Sequence, residues 1–339
     1  MKHWHVTDHA TARVALGHPD LSRSPHLRQA DDPLEQHVLN LDGEAHARMR
    51  AALAAALDAS LPAAVAAVRS RAAQLLAGFD GEVDVAARFA RPLVLHLLDH
   101  VLDLTGGDER ELLWWHTVAL DMEARRADTV EIHRRVGDLV ARRRAEPGPD
   151  VISRLAADEL PVEQVIATVW FAFDAGYVNT VNFLGLSLLA LAAAPAEYAW
   201  LRAHPHAVPG AVDELLRFAE PSGRASMRVA ARDTEVGDVP VPASTTVWIH
   251  RAAANRDPAR FPGGNRLDLQ RPVGGSLAFG AGRHFCLGAE LVRACADLTL
   301  VALIQIVAEL APTPRTPLDW DFPAALPLTV RPVRPAMSD

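Results

Sequence analysis

Cysteine is nearly absent from this 339-residue chain, with only Cys286 and Cys295 present. A disulfide framework is thereby excluded, and a reducing compartment such as the cytoplasm is expected. Excess positive charge is also lacking: 34 Lys and Arg stand against 42 Asp and Glu, a formal net charge of -8. Nucleic acid is therefore not an expected partner. The opening residues, Met-Lys-His-Trp-His-Val, lack the apolar run of a signal peptide or membrane anchor. No linker-like stretch divides the chain, so one large domain or two fused lobes is expected. The stretch 161–194 is apolar and long enough to span a bilayer, but Asp174, Asn179 and Asn182 interrupt its centre. It reads as a buried helix, and no membrane association is expected.

Apolar residues are abundant, at 50% of the chain, enough for a deep core. Residues 4–16 predict a short strand running into a short helix, followed by a loop to about Leu41. Seven histidines lie between His3 and His46, without clean i, i+4 pairs or cysteines, and they read as scattered surface residues rather than a metal site. A helix is predicted from Asp42, its candidate N-cap, through the alanine-rich run Ala45–Ala59. Further helices are expected at about 62–78, 85–104, 108–123 and 127–145, with Thr105-Gly106-Gly107-Asp108 a stop and restart. Of the adjacent Trp114 and Trp115, at most one can face a core. The helix 161–194 is apolar nearly all round and belongs in the middle of a helical protein. A short helix over 211–217 puts Glu214 and Arg217 on one face. From Ser226 the pattern turns to β, with strands at 226–231, 234–236 and 245–249 separated by Gly237-Asp238 and Pro240–Ser244, and a strand-like tail from Leu326.

The stretch Phe279-Gly-Ala-Gly-Arg-His-Phe-Cys-Leu-Gly288 carries the chemistry. Gly280 and Gly282 permit positive φ or close passage against a flat ligand, and Gly288 permits close approach just after the cysteine. The apolar spacing after Leu287 predicts a helix, which places Cys286 near an N-terminus whose dipole favours thiolate. Thiolate binds metal and is an axial ligand that favours cleavage of the dioxygen bond at haem iron.

This stretch resembles the haem-binding loop of the cytochrome P450 family, Phe-Gly-x-Gly-x-x-x-Cys-x-Gly, at every fixed position. Such a match arises by chance in about one chain in ten thousand of this length. The resemblance runs from about residue 4 to 332. It implies a mainly α fold with a small β region, in a minimal version, as one haem-thiolate domain over 1–339. The helix-rich lobe would take about 42–220 and 280–310, and the β-rich part about 1–10, 226–275 and 326–332. The implied cofactor is haem b with Cys286 as its axial metal ligand. Asp42-x-x-x-His46-x-x-x-Arg50 resembles the segment that contacts the haem propionates, Arg228 falls where the family has a further propionate-binding arginine, and His284 sits in the cysteine loop. Phe279, Gly280, Gly288, Ala175 and Gly176 complete the implied cofactor contacts. Glu214 and Arg217 resemble the family's Glu-x-x-Arg pair, closed by Arg271 or else Arg266.

One segment departs from the pattern. Ala175-Gly176-Tyr177-Val178-Asn179-Thr180 resembles the oxygen-activating segment Ala-Gly-x-(Asp or Glu)-Thr, but Val178 stands in the acid position and Asn179 in the alcohol position. The expected proton route runs through water held by Asn179 and Thr180, with Asp174 one turn before Val178 feeding it. Relative to the family the chain begins late, the stretch between Ser22 and Asp42 is short, and 113–145 is trimmed, which predicts an open pocket. The implied activity is monooxygenation of a bulky natural product, a peptide or a carrier-bound substrate. The alternatives are oxidative aromatic coupling or peptide cross-linking without oxygen insertion, peroxide-driven oxidation, and haem binding without turnover. A ferredoxin and a ferredoxin reductase are the expected electron donors, with a docking face on the cysteine side near Arg283.

Overall fold

A computed structural model describes residues 2–24, 32–105, 114, 115, 117, 118, 128–220, 225–272, 274–316 and 325–333. The chain opens with β1 (His3–Val6) and α1 (His9–Gly17), as the sequence predicts. Asp8 caps α1 by accepting from the Thr11 N–H at 2.8 Å. The segment to Leu41 is less of a loop than expected, since it holds β2 (Leu21–Ser22) and two 3-10 turns, Pro33–Glu35 and Val38–Asn40.

Next comes α2, one continuous helix over Gly43–Ala77, where two helices meeting near residue 61 are predicted. Pro62 lies inside it but on the solvent side, so water can satisfy the carbonyl that loses its N–H donor. The buried face of α2, Met49, Leu53, Ala56, Ser60, Ala64, Val68, Ala72 and Leu76, continues unbroken past the proline. Packing holds the helix together where local propensity alone would break it. Asp42 does not cap this helix with its side chain, which is engaged by Ser22 and Arg283.

The helix predicted over 85–104 is present, as a π-turn at Ala86–Ala90 continuing into α3 (Arg91–Leu102), and it is preceded by an unforeseen strand, β3 (Gly81–Asp84). Most of the helix expected at 108–123 lies outside the described residues; the four that are described, 114, 115, 117 and 118, are helical. Trp115 is buried and Trp114 half-buried, with the Arg135 guanidinium 4.6 Å from a Trp114 ring centre. There follow α4 (Thr129–Ala145), α5 (Val151–Ala157), α6 (Val162–Ala193), α7 (Pro195–Ala203) and α8 (Val208–Phe218). Both α2 and α6 are long and apolar enough to cross a bilayer. The apolar window of α6, however, is mostly buried by protein, whereas α2 owes its hydropathy to alanine.

Strands β4 (Ser226–Ala230), β5 (Thr234–Val236), β6 (Val239–Val241) and β7 (Thr246–Ile249) follow. β6 was not expected, because Pro240 marks a break; the strand survives because it pairs only with β5, across the Gly237 turn, and leaves its other edge unpaired. Helix α9 (Ala289–Ile306) then runs into β8 (Val307–Pro312), a second unforeseen strand, which pairs antiparallel with β9 (Pro327–Pro332). The sheets have the orders β1-β7-β4-β2 and β3-β9-β8. A large apolar cluster reaches from Leu34 to Val330 around α6, and a small one gathers α1 against the first sheet. The cysteine loop lies between them, touched by α1 on one side and leading into α9, which packs against α2.

Candidate functional site

The loop takes its shape from two glycines. Gly280 and Gly282 have φ of 74° and 71°, a region that side chains with a Cβ rarely enter. Gly280 N–H donates to the Leu277 carbonyl at 2.9 Å, and Phe285 N–H to the Gly282 carbonyl at 3.0 Å. Cys286 N–H closes the loop on the Phe279 carbonyl, also at 3.0 Å. At Gly282 there is a second constraint: a Cβ would overlap Cα of Gly17, so the end of α1 sets the loop's position. Gly288 is the N-cap of α9, and the Phe279 ring packs on the core under the Arg293 guanidinium, 5.2 Å away.

Cys286 is solvent-accessible on one side and enclosed by protein on the others. Burial pushes its thiol up from the ordinary value, against the Gly288 N–H and the Arg251 and Arg50 guanidiniums. The Gly288 N–H at the start of α9 does favour thiolate, as expected, and desolvation opposes it more strongly. Desolvation wins in the metal-free protein, and a bound cation is what would deprotonate this sulfur. Among the described residues no group of three His, Cys, Asp or Glu gathers as a metal site. Among the described residues Cys286 thus stands as a single ligand.

A cationic cluster stands beside the loop. His46, on α2, and His284 have ring centres 4.4 Å apart. Arg50, one turn after His46, donates to the Phe285 carbonyl at 2.9 Å and so joins α2 to the cysteine loop. Arg228 extends from β4, 3% exposed, and donates to the carbonyl of Met227. Burial lowers its pKa to about 9, helped by Arg23, Arg251 and Arg283. His284 is pushed down to about 3 by burial and then by His46, Arg228, Arg283 and Arg23. His46 is lowered too, through burial, Arg50 and Arg283. Three buried nitrogens here, His46 Nε2, His284 Nδ1 and Arg228 Nε, have no hydrogen-bond partner among the described residues. Arginines gathered around two imidazoles whose protonation they suppress, with buried nitrogens left unmatched, call for an anion, and carboxylate groups answer both needs. The residues present thus fit a porphyrin that brings iron to Cys286 and carboxylates to this cluster.

Arg23, Glu220 and Arg251 belong to this neighbourhood and were missed. Arg251 pairs with buried Glu220 at 3.0 Å and donates to the Ala278 carbonyl, while Arg23 donates to Asn40 Oδ1 at 3.0 Å. No spacing in the sequence links these residues, and only the fold brings them together. Arg283, expected at an exposed docking face, is partly exposed and donates to the carbonyls of Pro19 and Leu21 and to Asp42.

On α6, otherwise buried between Val165 and Ala192, a strip of residual exposure includes Ala175, Gly176, Val178 and Asn179. A Cβ on Gly176 would lie 3.1 Å from Leu98 Cδ2, so the glycine allows α3 to approach. Asn179 is exposed and its Nδ2 donates to the Ala175 carbonyl at 2.9 Å. Thr180, 100° further round the helix, is buried and lies off this strip. Asp174 lines a cavity of about 180 Å³ shared with Asp32, Glu35, His37, Thr129 and Trp170.

Behind the loop, Glu214 and Arg217 are both buried and meet in two parallel hydrogen bonds of 2.7 Å. Arg271 reaches Glu214 at 3.3 Å, whereas Arg266 offers only its carbonyl to Arg217.

A thiol loop seated against a cluster of buried arginines and imidazoles has the proximal features of a haem-thiolate protein. The cytochrome P450 family model matches residues 153–308. Cytochrome P450 107B1 of Saccharopolyspora erythraea is 33% identical over 320 residues, covering 89% of this chain and 78% of that protein. The 6-deoxyerythronolide B hydroxylase of the same organism is 32% identical, covering 88% and 81%. A solved structure of a mutant of P450 EryK in complex with erythromycin B superimposes with a TM-score of 0.85 at 26% identity, covering 99% of this chain and 93% of that one. The chain belongs to the cytochrome P450 family. It is an oxidoreductase whose cofactor is haem b, bound in this family through a cysteine thiolate.

Proposed function

We propose that this protein is a monooxygenase acting on a bulky secondary metabolite, with Cys286 as the thiolate ligand and His46, Arg50, Arg228 and His284 around the haem carboxylates. The observation that carries the site reading is the trio of orphaned nitrogens on His46, His284 and Arg228. Relatives named for macrolide chemistry support the substrate class, among them the 6-deoxyerythronolide B hydroxylase and the EryK structure holding erythromycin B. Phe279, Gly280 and Gly288 shape the sulfur side, and Ala175 and Gly176 leave room on the other. When bound, the haem supplies dioxygen activation, a chemistry no side chain here provides.

The chain's own residues hold the cofactor, exclude bulk water and conduct protons. Val178 carries no proton, so we assign positioning of a water to Asn179 and proton uptake to Asp174, reached from the polar cavity beside it. Thr180, being buried, is left out of that route. The short stretch between Ser22 and Asp42 favours a substrate presented on a peptide or carrier protein over a small enclosed one. The same haem site would also serve oxidative coupling without oxygen insertion. We further propose that the chain works as one haem-thiolate domain in the cytoplasm and takes electrons from a ferredoxin and its reductase.

The test is the mass of the product formed from a macrolide panel, with carrier-bound amino acids alongside, by the purified protein supplied with ferredoxin, its reductase and NADPH. A gain of one oxygen is expected. Loss of two hydrogens would replace monooxygenation by coupling, and no turnover with any reductant or peroxide would leave only haem binding.

A further inference from the structure

The residue between the loop's second glycine and its histidine is Arg283, and its guanidinium is spent inward. Nη1 donates to the Pro19 carbonyl at 3.1 Å, and Nη2 to the Leu21 carbonyl at 3.3 Å and to Asp42 Oδ1 at 3.4 Å. Asp42 also accepts from the Ser22 hydroxyl, and Ser22 in turn accepts from the Ser24 N–H at 2.9 Å. The arginine is thus tied to the end of α1, to β2 and to the start of α2. With three sides fixed, Nε has one direction left, and it donates to His284 Nε2 at 3.3 Å.

That last contact has a chemical consequence. Guanidinium nitrogens only donate, so His284 Nε2 must accept. An imidazole nitrogen that accepts carries no proton, and the ring's single proton then sits on Nδ1. Nδ1 is the buried nitrogen without a partner among the described residues, in the ring that faces His46. Were the ring instead Nε2–H or doubly protonated, two N–H groups would point at each other. We propose that Arg283 is a positioning residue that fixes His284 as the Nδ1–H tautomer, so that a hydrogen-bond donor is presented to a haem carboxylate. This rests on the reading of the cluster as the haem's carboxylate site. Arg283, its guanidinium bonded to protein groups, acts through His284. An outer partner of this kind typically changes retention of the bound group about 10–100-fold when removed.

The experiment is nitrogen-15 NMR of histidine-labelled holoprotein in its diamagnetic ferrous carbon monoxide form, with His284 assigned by His284→Gln. Haem transfer to excess apomyoglobin is timed in parallel. The wild type is expected to show His284 as Nδ1–H. Arg283→Met should lose that signature and release haem at least about tenfold faster. Arg283→Gln, whose amide can still donate to Nε2, should keep the tautomer and recover part of the retention. An Nε2–H signature in the wild type, or an unchanged tautomer in Arg283→Met, overturns the proposal while leaving the haem site intact. Absence of a thiolate-type carbon monoxide band in the wild type would overturn the site reading and the proposal with it.

Discussion

Replacing Arg217 by methionine tests how far the fold depends on one buried ion pair. Arg217 is 2% exposed and makes two 2.7 Å bonds to Glu214, itself 4% exposed, and two of 2.8 Å to the carbonyls of Asn255 and Gly264. Methionine fills a similar volume but leaves Glu214 charged and short of a partner, and two carbonyls without their donor. Removing one member of a buried pair costs about 3–5 kcal/mol. In a chain of this size that corresponds to a fall in Tm of about 4–7 °C. Residual contacts from Arg271 and the Asp268 N–H to Glu214 place the expected loss in the lower half of that range. The assay is urea unfolding followed by circular dichroism, with Glu214→Leu and the double variant completing the cycle. The double variant should be less destabilised than the sum of the singles by about 0.5–3 kcal/mol, since neither charge is then left alone. A loss below about 1 kcal/mol for Arg217→Met, or strict additivity, would refute the reasoning.

Cys286→Ser should abolish the thiolate-type band of the ferrous carbon monoxide complex; a retained band would move the ligand elsewhere. In the haem-free protein His284 has its pKa lowered to about 3 and His46 is lowered too, while both titrate near 6.5 when unfolded. Below that value the unfolded chain binds more protons, so stability should fall as pH drops from about 6.5 toward 3. Haem carboxylates should raise both folded values and flatten the slope, and equal pH profiles with and without haem in denaturant titrations would count against carboxylates at this cluster. Asn179→Ala should lower the ratio of product to NADPH consumed and raise released hydrogen peroxide. Full coupling in that variant would end the proposed role of Asn179.

Legibility in the sequence followed the range of the interaction. The cysteine loop could be read because its constraints are local: positive φ at Gly280 and Gly282, and a helix start just beyond Cys286. Helix α6 was legible from its apolar length. The join across Pro62 was not, because what carries α2 past the proline is the row from Met49 to Leu76 packed on the core. Strands β6 and β8 were missed for a related reason: each depends on a partner strand, and in β8 that partner begins at Pro327. At Cys286 the helix start favours thiolate as the sequence suggests, but the opposing desolvation comes from packing around the loop and could not be read there. Arg283 reads as an exposed loop arginine; its side chain does keep 30% exposure, but its bonds to the carbonyls of Pro19 and Leu21 could not be foreseen.

The distal strip shows what Asn179 can and cannot do in place of an alcohol. A hydroxyl can accept from one partner while passing its own proton to another, whereas an amide is not acidic enough to relay protons. The Ala175 carbonyl accepts only, which fixes the amide with Nδ2 toward the helix backbone and leaves Oδ1 as an acceptor. An acceptor there can orient a water by taking one of its hydrogens and turning the other outward. The proton then comes from water and must be replaced by a group that titrates. Asp174 meets that need, one turn before Val178 on the same helix and bordering a polar cavity wide enough for several waters. Asp174→Asn should therefore reproduce the uncoupling of Asn179→Ala and add a larger solvent isotope effect on product formation. If Asp174→Asn leaves both coupling and isotope effect unchanged, protons reach the strip without the cavity.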